Sequence, residues 1–287
     1  SWPLGPCDDS IYPIDGYGSI RILMGWFNNL KLRHQGSGES IEMKRKTSSQ
    51  AGLLALGLII AGSAFSADPA APVEWNAEGG EKTLAMTLEP DRENGIEVYE
   101  VCSACHLLEG WGTPNGTFPQ IAGQHREVLI KQLADIRSLN RDNPTMYPFA
   151  LPEAIGDEQA MADVTAYIAA LPMNPDHGKG PWPPGTPEHE QGAELYKANC
   201  VECHGEHGEG IAEKFYPRIE GQHYEYIVRQ FEWIRDGKRR NANPEMVKQI
   251  ENFSDKEMKM VINWVTHVKV NPKDLAPSVD YQNPDYD

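Results

Sequence analysis

The sequence predicts an all-α protein made of two tandem domains, and three observations support this fold class. A block of the chain recurs at an offset of 97 to 100 residues, which is typical of a diverged tandem duplication. Inside each copy the apolar residues follow the period of a helix, and period-two runs of β-branched residues are absent. Between the copies, residues 172–187 contain six prolines and three glycines. That composition excludes a regular helix or inner strand, because proline lacks an amide donor and fixes φ.

The repeated blocks set the predicted domain boundaries. The blocks are Gly95 to Tyr99, Cys102 to His106, Phe118 to His125 and Asn143 to Met146 in the first copy, and Gly192 to Tyr196, Cys200 to His204, Tyr216 to His223 and Asn243 to Met246 in the second. We predict an N-terminal linker at 68–87, a first domain at 88–171, a semi-rigid linker at 172–187, a second domain at 188–270 and an acidic C-terminal tail at 271–287.

Each domain is predicted to contain a helix that enters the cysteine motif, a middle helix, a non-helical loop with a methionine, and a last helix. Apolar spacing of three and four residues predicts the middle and last helices, and Ser254-x-x-Glu257 is a capping box at the start of one of them. The residues that share a face are Leu129, Leu133 and Ile136, Met161, Val164 and Ile168, Ile227, Phe231 and Ile234, and Met258, Val261 and Val265.

The motifs Cys102-x-x-Cys105-His106 and Cys200-x-x-Cys203-His204 have the spacing of c-type haem attachment sites. On a helical turn, residues i and i+3 share a face, so two thiols can reach the two vinyl groups of one porphyrin. The histidine that follows is placed as the proximal iron ligand. One such match is compatible with chance or with half of a zinc site. Two copies inside a longer duplication predict two covalently bound haem c groups, one in each domain.

The sixth iron ligand is predicted to be methionine in both domains. Met146 and Met246 each end an Asn-Pro-x-Met segment, 40 and 42 residues after the motif histidine, and methionine sulfur is a soft ligand that raises the potential of the iron. The alternative for both is simple core packing. His125 and His223 are rival ligands because they also recur. Two further matched pairs, Arg137 with Arg235 and Gln124 with Gln222, are candidates for binding haem propionates. The two arginines have an equal alternative, which is to pair with carboxylates at the surface.

The N-terminal region predicts export. Residues 43–67 combine a basic start, an uncharged run from Ala51 to Ala64 and small residues before Asp68, the pattern of a secretory signal peptide. The run is shorter than the about 20 residues of a membrane-spanning helix, although an uncleaved anchor is an alternative. Residues 1–42, which include Cys7, are interpreted as a non-native upstream extension, with a genuine extension as the alternative. We therefore expect a periplasmic protein without stable membrane insertion after cleavage.

Charge and cysteine usage exclude several functions. Without residues 1–67, which hold six of the 26 basic and five of the 42 acidic residues, 20 basic and 37 acidic residues remain, a net charge of −17. This charge argues against a nucleic-acid partner and favours docking onto basic patches of redox proteins. The two haem motifs use four of the five cysteines. No cysteine is left in residues 68–287 for a disulfide, a zinc site or a thiolate haem ligand.

These residues resemble the dihaem cytochrome c4 family, within the class I cytochromes c. The resemblance covers residues 88–270 and rests on the tandem haem motifs, the Pro-x-Ile-x-Gly-Gln segments at 119–124 and 217–222, Gln132 and Gln230, and the two late methionines. It implies two His/Met haem domains that face each other across a pseudo-twofold axis and shuttle electrons in the periplasm. Two features depart from the pattern: the loop from Leu107 to Gly112, and the long acidic tail after Asn271.

The predicted function is therefore an electron carrier that performs no chemistry on a small substrate. Its expected partners are a membrane oxidoreductase as donor and a terminal oxidase or reductase as acceptor. One alternative is a dihaem enzyme such as a peroxidase or a thiosulfate dehydrogenase, which needs an open or switchable iron or a cysteine ligand. Another is the cytochrome subunit of a dehydrogenase or terminal reductase.

Overall fold

The computed structural model describes residues 78–286, so the predictions for residues 1–67, including the signal peptide and Cys7, lie outside the described part. The described chain is helical, and within it β-structure is limited to two isolated bridges, Met173 with Leu275 and Ile211 with Tyr216. The prediction of an all-α fold is confirmed. The helices are α1 (Gly80–Thr87), α2 (Arg92–His106), α3 (Arg126–Arg137), α4 (Tyr147–Ala150), α5 (Pro152–Ile155), α6 (Glu158–Ala170), α7 (Pro187–Asn199), α8 (Val201–His204), α9 (Tyr224–Arg235), α10 (Pro244–Ile250) and α11 (Asp255–His267).

Local sequence fixes where the main helices begin. The side chain of Asp91 accepts hydrogen bonds from the amides of Glu93 and Asn94 at the start of α2, and Asp157 does the same for α6. The predicted capping box is present at the start of α11, where Ser254 and Glu257 bond each other's backbone amides. These side chains satisfy amides that the first turn of a helix leaves without a partner.

In each domain the helix that enters the cysteine motif crosses the last helix at a glycine. In the first domain α2 packs on α6 at Gly95, where an added Cβ would lie 2.7 Å from the carbonyl oxygen of Asp163. In the second domain α7 packs on α11 at Gly192, where a Cβ would lie 2.1 Å from the carbonyl oxygen of Met260. The absence of a side chain therefore allows both helix pairs to approach closely.

The two domains contact each other through reciprocal hydrogen bonds. The amide side chain of Gln124 donates to the Arg218 carbonyl (2.8 Å) and accepts from the Arg218 amide (2.9 Å). At the equivalent place, Gln222 donates to the Gln120 carbonyl (2.7 Å) and accepts from its amide (3.0 Å). The same bonds run in both directions, which is the geometry of a pseudo-twofold axis.

Two segments differ from their sequence-based description. Part of the predicted N-terminal linker is helical, because α1 inserts Ala85 into an apolar cluster with Ile130 and Met161. The C-terminal tail is also ordered: it returns to the first domain, where Tyr281 and Tyr286 pack against the apolar core. Residues 172–187 contain no helix before Pro187 and lie along the second domain, with His177 bonded to the Thr266 carbonyl. No helix within residues 78–286 has the length and apolarity that crossing a bilayer requires.

Candidate functional site: two haem-binding motifs

Both motif histidines are buried and held in the same orientation. The Nδ1 atom of His106 lies 2.9 Å from the carbonyl oxygen of Pro119, and that of His204 lies 3.1 Å from the carbonyl oxygen of Pro217. A carbonyl can only accept, so each Nδ1 carries the proton and each Nε2 keeps its lone pair for a metal. Burial lowers the pKa of both histidines, with the carbonyl contact as a smaller opposing effect. Both imidazoles are therefore neutral, as an iron ligand must be.

The four motif cysteines are partly buried. Burial raises the pKa of Cys102 to about 12 and that of Cys200 to about 12. At neutral pH these two sulfurs are therefore uncharged, as suits an apolar surrounding. A tyrosine holds the turn after each motif, because the Tyr99 hydroxyl donates to the Leu107 carbonyl (2.7 Å) and the Tyr196 hydroxyl to the Gly205 carbonyl (2.8 Å).

In the first domain, one apolar cavity brings the predicted site residues together. The residues that line it are Val101, Cys102, Cys105, His106, Leu133, Met146, Phe149, Ile155 and Val164. The donor set therefore combines two thiols, one imidazole with a free Nε2 and one thioether within an otherwise hydrophobic wall. This set fits a haem c, which needs two thiols for attachment, two axial ligands and an apolar surrounding for the porphyrin.

In the second domain, Tyr216 lies near both the cysteine motif and the methionine segment. Burial raises the pKa of its hydroxyl, and the neighbouring Cys203 and Glu245 add to this shift. Asn243 caps α10 through the amide of Glu245 (2.8 Å), and Met246 follows inside that helix. The prediction of a non-helical methionine loop is therefore wrong for Met246, because Pro244 and its asparagine cap start a helix there. Met146 lies in a turn directly before α4.

The recurring histidines after the Gly-Gln pairs bond the backbone of the opposite domain. His125 Nε2 lies 2.7 Å from the Glu209 carbonyl, and His223 Nε2 lies 2.6 Å from the Trp111 carbonyl. His223 also accepts a hydrogen bond at Nδ1 from the amide of Gly178 (3.0 Å). Both nitrogens of His223 are thus used, which excludes the rival assignment of this residue as an iron ligand in the described structure.

The two matched arginines at the ends of α3 and α9 are bonded locally. Arg137 pairs with Glu81 and donates to the carbonyls of Ala150 and Gly156. Arg235 pairs with Asp255 at 2.8 Å. Both arginines therefore pair with carboxylates of the chain, which was the alternative to binding haem propionates. The structure likewise uses Gln124 and Gln222 for the bonds between the domains.

A second pair of arginines meets between the domains, and the sequence-based prediction missed it. Arg141 donates to the side-chain oxygens of Gln132 (2.9 Å) and Gln230 (3.1 Å), and Arg239 donates to the same two oxygens at 2.9 Å and 3.0 Å. We call these four residues the arginine–glutamine cluster. Burial, followed by the charge of Arg141, lowers the pKa of Arg239 to about 9. Arg141 and Arg239 recur at the offset of 98 that joins the haem motifs, and this repetition could have revealed them.

Within residues 78–286, further charged groups lie next to the arginine–glutamine cluster. Asp135 accepts from Lys131 at 2.5 Å and from the Asn241 side chain at 2.8 Å. Around this one carboxylate, the cluster and its neighbours place the cations Lys131, Arg141 and Arg239. Anions stabilise buried positive charges, and haem propionates are anions of the required kind.

Comparison with known proteins gives the same assignment. The family model for cytochrome c matches residues 92–172, and the model for cytochrome c oxidase, cbb3-type, subunit III matches residues 187–265. A cytochrome c4 from Thiocapsa roseopersicina is 31% identical over 65% of this chain and 96% of its own length. A thiosulfate dehydrogenase electron acceptor from Stutzerimonas stutzeri is 28% identical over 66% of this chain and 93% of its own length. The crystal structure of reduced cytochrome c4 from Pseudomonas stutzeri superposes with a TM-score of 0.54 at 25% identity, and covers 63% of this chain and 100% of that one.

The fold, the repeated motifs and these matches define a dihaem c-type cytochrome, with one haem c bound covalently at Cys102 and Cys105 and another at Cys200 and Cys203. Its role is electron transport. The match to the Thiocapsa cytochrome c4 covers nearly all of that protein, and it therefore identifies the family as well as the class. The chain belongs to the cytochrome c4 family.

Proposed function

We propose that this cytochrome is a periplasmic electron carrier whose two irons are both closed by His/Met ligation, with His106 and Met146 on one iron and His204 and Met246 on the other. The observation that carries the proposal is the shared cavity of Cys102, Cys105, His106 and Met146. A bound haem supplies the one-electron exchange between ferric and ferrous iron. The chain holds the imidazoles neutral, supplies the thioether sulfurs and keeps water away from the irons.

The arginine–glutamine cluster is proposed to bind the propionates of both haems. Each guanidinium already bridges the two glutamines across the domain boundary. Guanidinium groups have the planar donor geometry that carboxylates match. Carboxylates at this position would neutralise the buried cations, and they would bring the edges of both haems to the boundary between the domains.

The direction of electron flow is proposed from the named relatives. Two of them, from Stutzerimonas stutzeri and Thiomonas intermedia, are thiosulfate dehydrogenase electron acceptors. An acceptor of this kind receives electrons from an oxidoreductase and performs no chemistry on its substrate. We therefore propose an oxidoreductase as the donor and a terminal oxidase or reductase as the acceptor. A dihaem enzyme is the second candidate, because the names of these two relatives include a thiosulfate dehydrogenase.

Electron exchange at varied ionic strength tests the carrier function. Reduction of the purified oxidised protein by a thiosulfate dehydrogenase supplied with thiosulfate should be fast and should slow as salt is added. The reason is that a net charge of −17 on residues 68–287 steers docking and salt screens it. Thiosulfate without the dehydrogenase is the control and should give no reduction. Direct, saturable oxidation of thiosulfate by the cytochrome itself would favour the enzyme instead.

A further inference from the structure

We propose that the C-terminal tail, residues 271–286, is a working part of the first haem domain: it holds the loop behind His106 and thereby raises the potential of the first haem above the value that the domain would have alone. The inference rests on the proposed haem sites. It concerns two segments that depart from the family pattern, the loop Leu107–Gly112 and the tail, and the structure places them in contact.

The loop of the first domain begins in a conformation that costs free energy. Leu107 has φ 66° and ψ 165°, whereas its counterpart Gly205 has φ 80° and ψ 175°. Glycine adopts this region freely, but a residue with a side chain stays there only when its surroundings hold it. The first loop therefore needs more support than the second.

The first loop is closed by a backbone bond from the Gly110 amide to the Leu107 carbonyl (3.1 Å), whereas a side chain of its own supports the second loop. In the second loop the carboxylate of Glu209 accepts from the amides of Glu206 (3.2 Å) and His207 (2.7 Å). The first loop has Trp111 at the position of Glu209, and the Trp111 indole donates away from the loop to the Pro172 carbonyl (2.9 Å). A side chain from the tail bonds the first loop instead, because Asn283 donates to the Leu108 carbonyl at 2.7 Å.

The tail is anchored on a residue that distinguishes the first domain from the second. Tyr167 on α6 donates its hydroxyl to Asp285 (3.0 Å) and accepts from Asn283 (2.8 Å). The counterpart of Tyr167 on α11 is Trp264, which packs against Tyr196 at 4.5 Å between ring centroids and has no hydroxyl. Asp285 also pairs with Arg92 at 2.7 Å, so its charge is balanced.

The end of the tail covers the motif helix. Tyr286 donates to the Ile96 carbonyl at 2.7 Å, its ring lies 6.3 Å from that of Tyr99, and both rings belong to the apolar cluster that includes Cys102. Excluding water beside a haem disfavours the ferric state, which carries one more positive charge than the ferrous state. The tail is therefore expected to raise the potential of the first haem and to leave the second unchanged.

The test compares the potential of each haem in variants of the full-length holoprotein. Asn283→Ala and Tyr286→Ala should lower the potential of the first haem, while Val279→Ala, an exposed change in the same tail, should change neither potential. Potentiometric titration followed by the haem-methyl NMR signals measures the two haems separately, and Met146→Ala identifies the signals of the first. Adding Leu107→Gly to Asn283→Ala should restore most of the lost potential, because a glycine removes the need for support.

Two results would overturn the inference. One is a lower melting temperature with both potentials unchanged, which would make the tail a structural element alone. The other is an equal shift of both haems, which would mean that the tail acts on the arrangement of the domains. The mass of two haems and the methionine-to-iron band of the wild-type protein are recorded first. If the haem mass or the band were missing, the proposed haem sites would be contradicted. That result would not affect the observed contact between the tail and the loop.

Discussion

At the scale of single residues, the proposed function depends on two methionine sulfur atoms that would close the irons. Met146 shares a cavity with His106, and Met246 packs on the cluster formed by α9 and α11. Both methionines are only partly buried, whereas Met161 and Met258 are fully buried. The second pair therefore belongs to the core. Met146 lies in the same cavity as His106, and ligation by Met246 is proposed from its equivalent place in the repeat.

Replacing either ligand should open one iron. We expect Met146→Ala and Met246→Ala each to convert one haem to a high-spin or differently ligated form, because alanine has no atom that can bind iron. The near-infrared band from sulfur to iron should fall by about half in each single variant, since each haem supplies one such bond. Met161→Ala and Met258→Ala are the matched controls and should keep the band. An unchanged band in both ligand variants would show that the sulfurs are not ligands.

The sequence identified most residues of the site but only part of their roles. The motif residues could be predicted because the covalent chemistry fixes their spacing. The roles of His125 and His223 could not, because both depend on carbonyls that lie more than 80 residues away along the chain. The Arg141 and Arg239 pair has the same difficulty: its partners Gln132 and Gln230 meet it only when the two domains come together.

At the scale of elements, each domain depends on one helix crossing. Gly95→Ala and Gly192→Ala should each lower the free energy of unfolding by about 1–3 kcal/mol, because a Cβ would overlap a backbone carbonyl of the facing helix. This cost opposes the gain of up to about 1 kcal/mol that alanine brings to a helix interior. Thermal or denaturant unfolding measures both effects. Glu97→Ala, an exposed change on the same helix, is the control, and equal stability of Gly95→Ala and Glu97→Ala would contradict the crossing.

The helices themselves were largely predictable, and the short connecting elements were not. Apolar spacing and the capping box predicted α3, α6, α9 and α11, since burial of one face and satisfaction of the first amides are local matters. Helix α1 has only eight residues, too few for a clear apolar period, and it forms because α3 and α6 cover Ala85. The fold of the tail depends on Tyr167 of the first domain, which lies more than 100 residues away along the chain, so local sequence could not predict it.

At the scale of the whole molecule, the positive charges of the arginine–glutamine cluster should affect the potentials of both haems. Arg239→Gln should lower both potentials together, because a nearby cation favours the less positively charged ferrous state of each iron. Potentiometric titration measures the shift. Arg240→Gln removes the same charge from an exposed neighbour and is the control, with a smaller effect expected from solvent screening. Equal effects of the two variants, or a shift of one haem alone, would contradict a shared propionate site.

The measurement that tests the central claim most directly is carbon monoxide binding to the ferrous protein at neutral pH. If methionine sulfur closes both irons, the spectrum should change little at carbon monoxide concentrations that saturate a five-coordinate haem, and turnover of peroxide or thiosulfate should be negligible. Met146→Ala is the positive control and should bind one carbon monoxide per molecule. Stoichiometric binding to one haem of the wild-type protein, together with saturable turnover of a small molecule, would contradict the carrier function and indicate an enzyme.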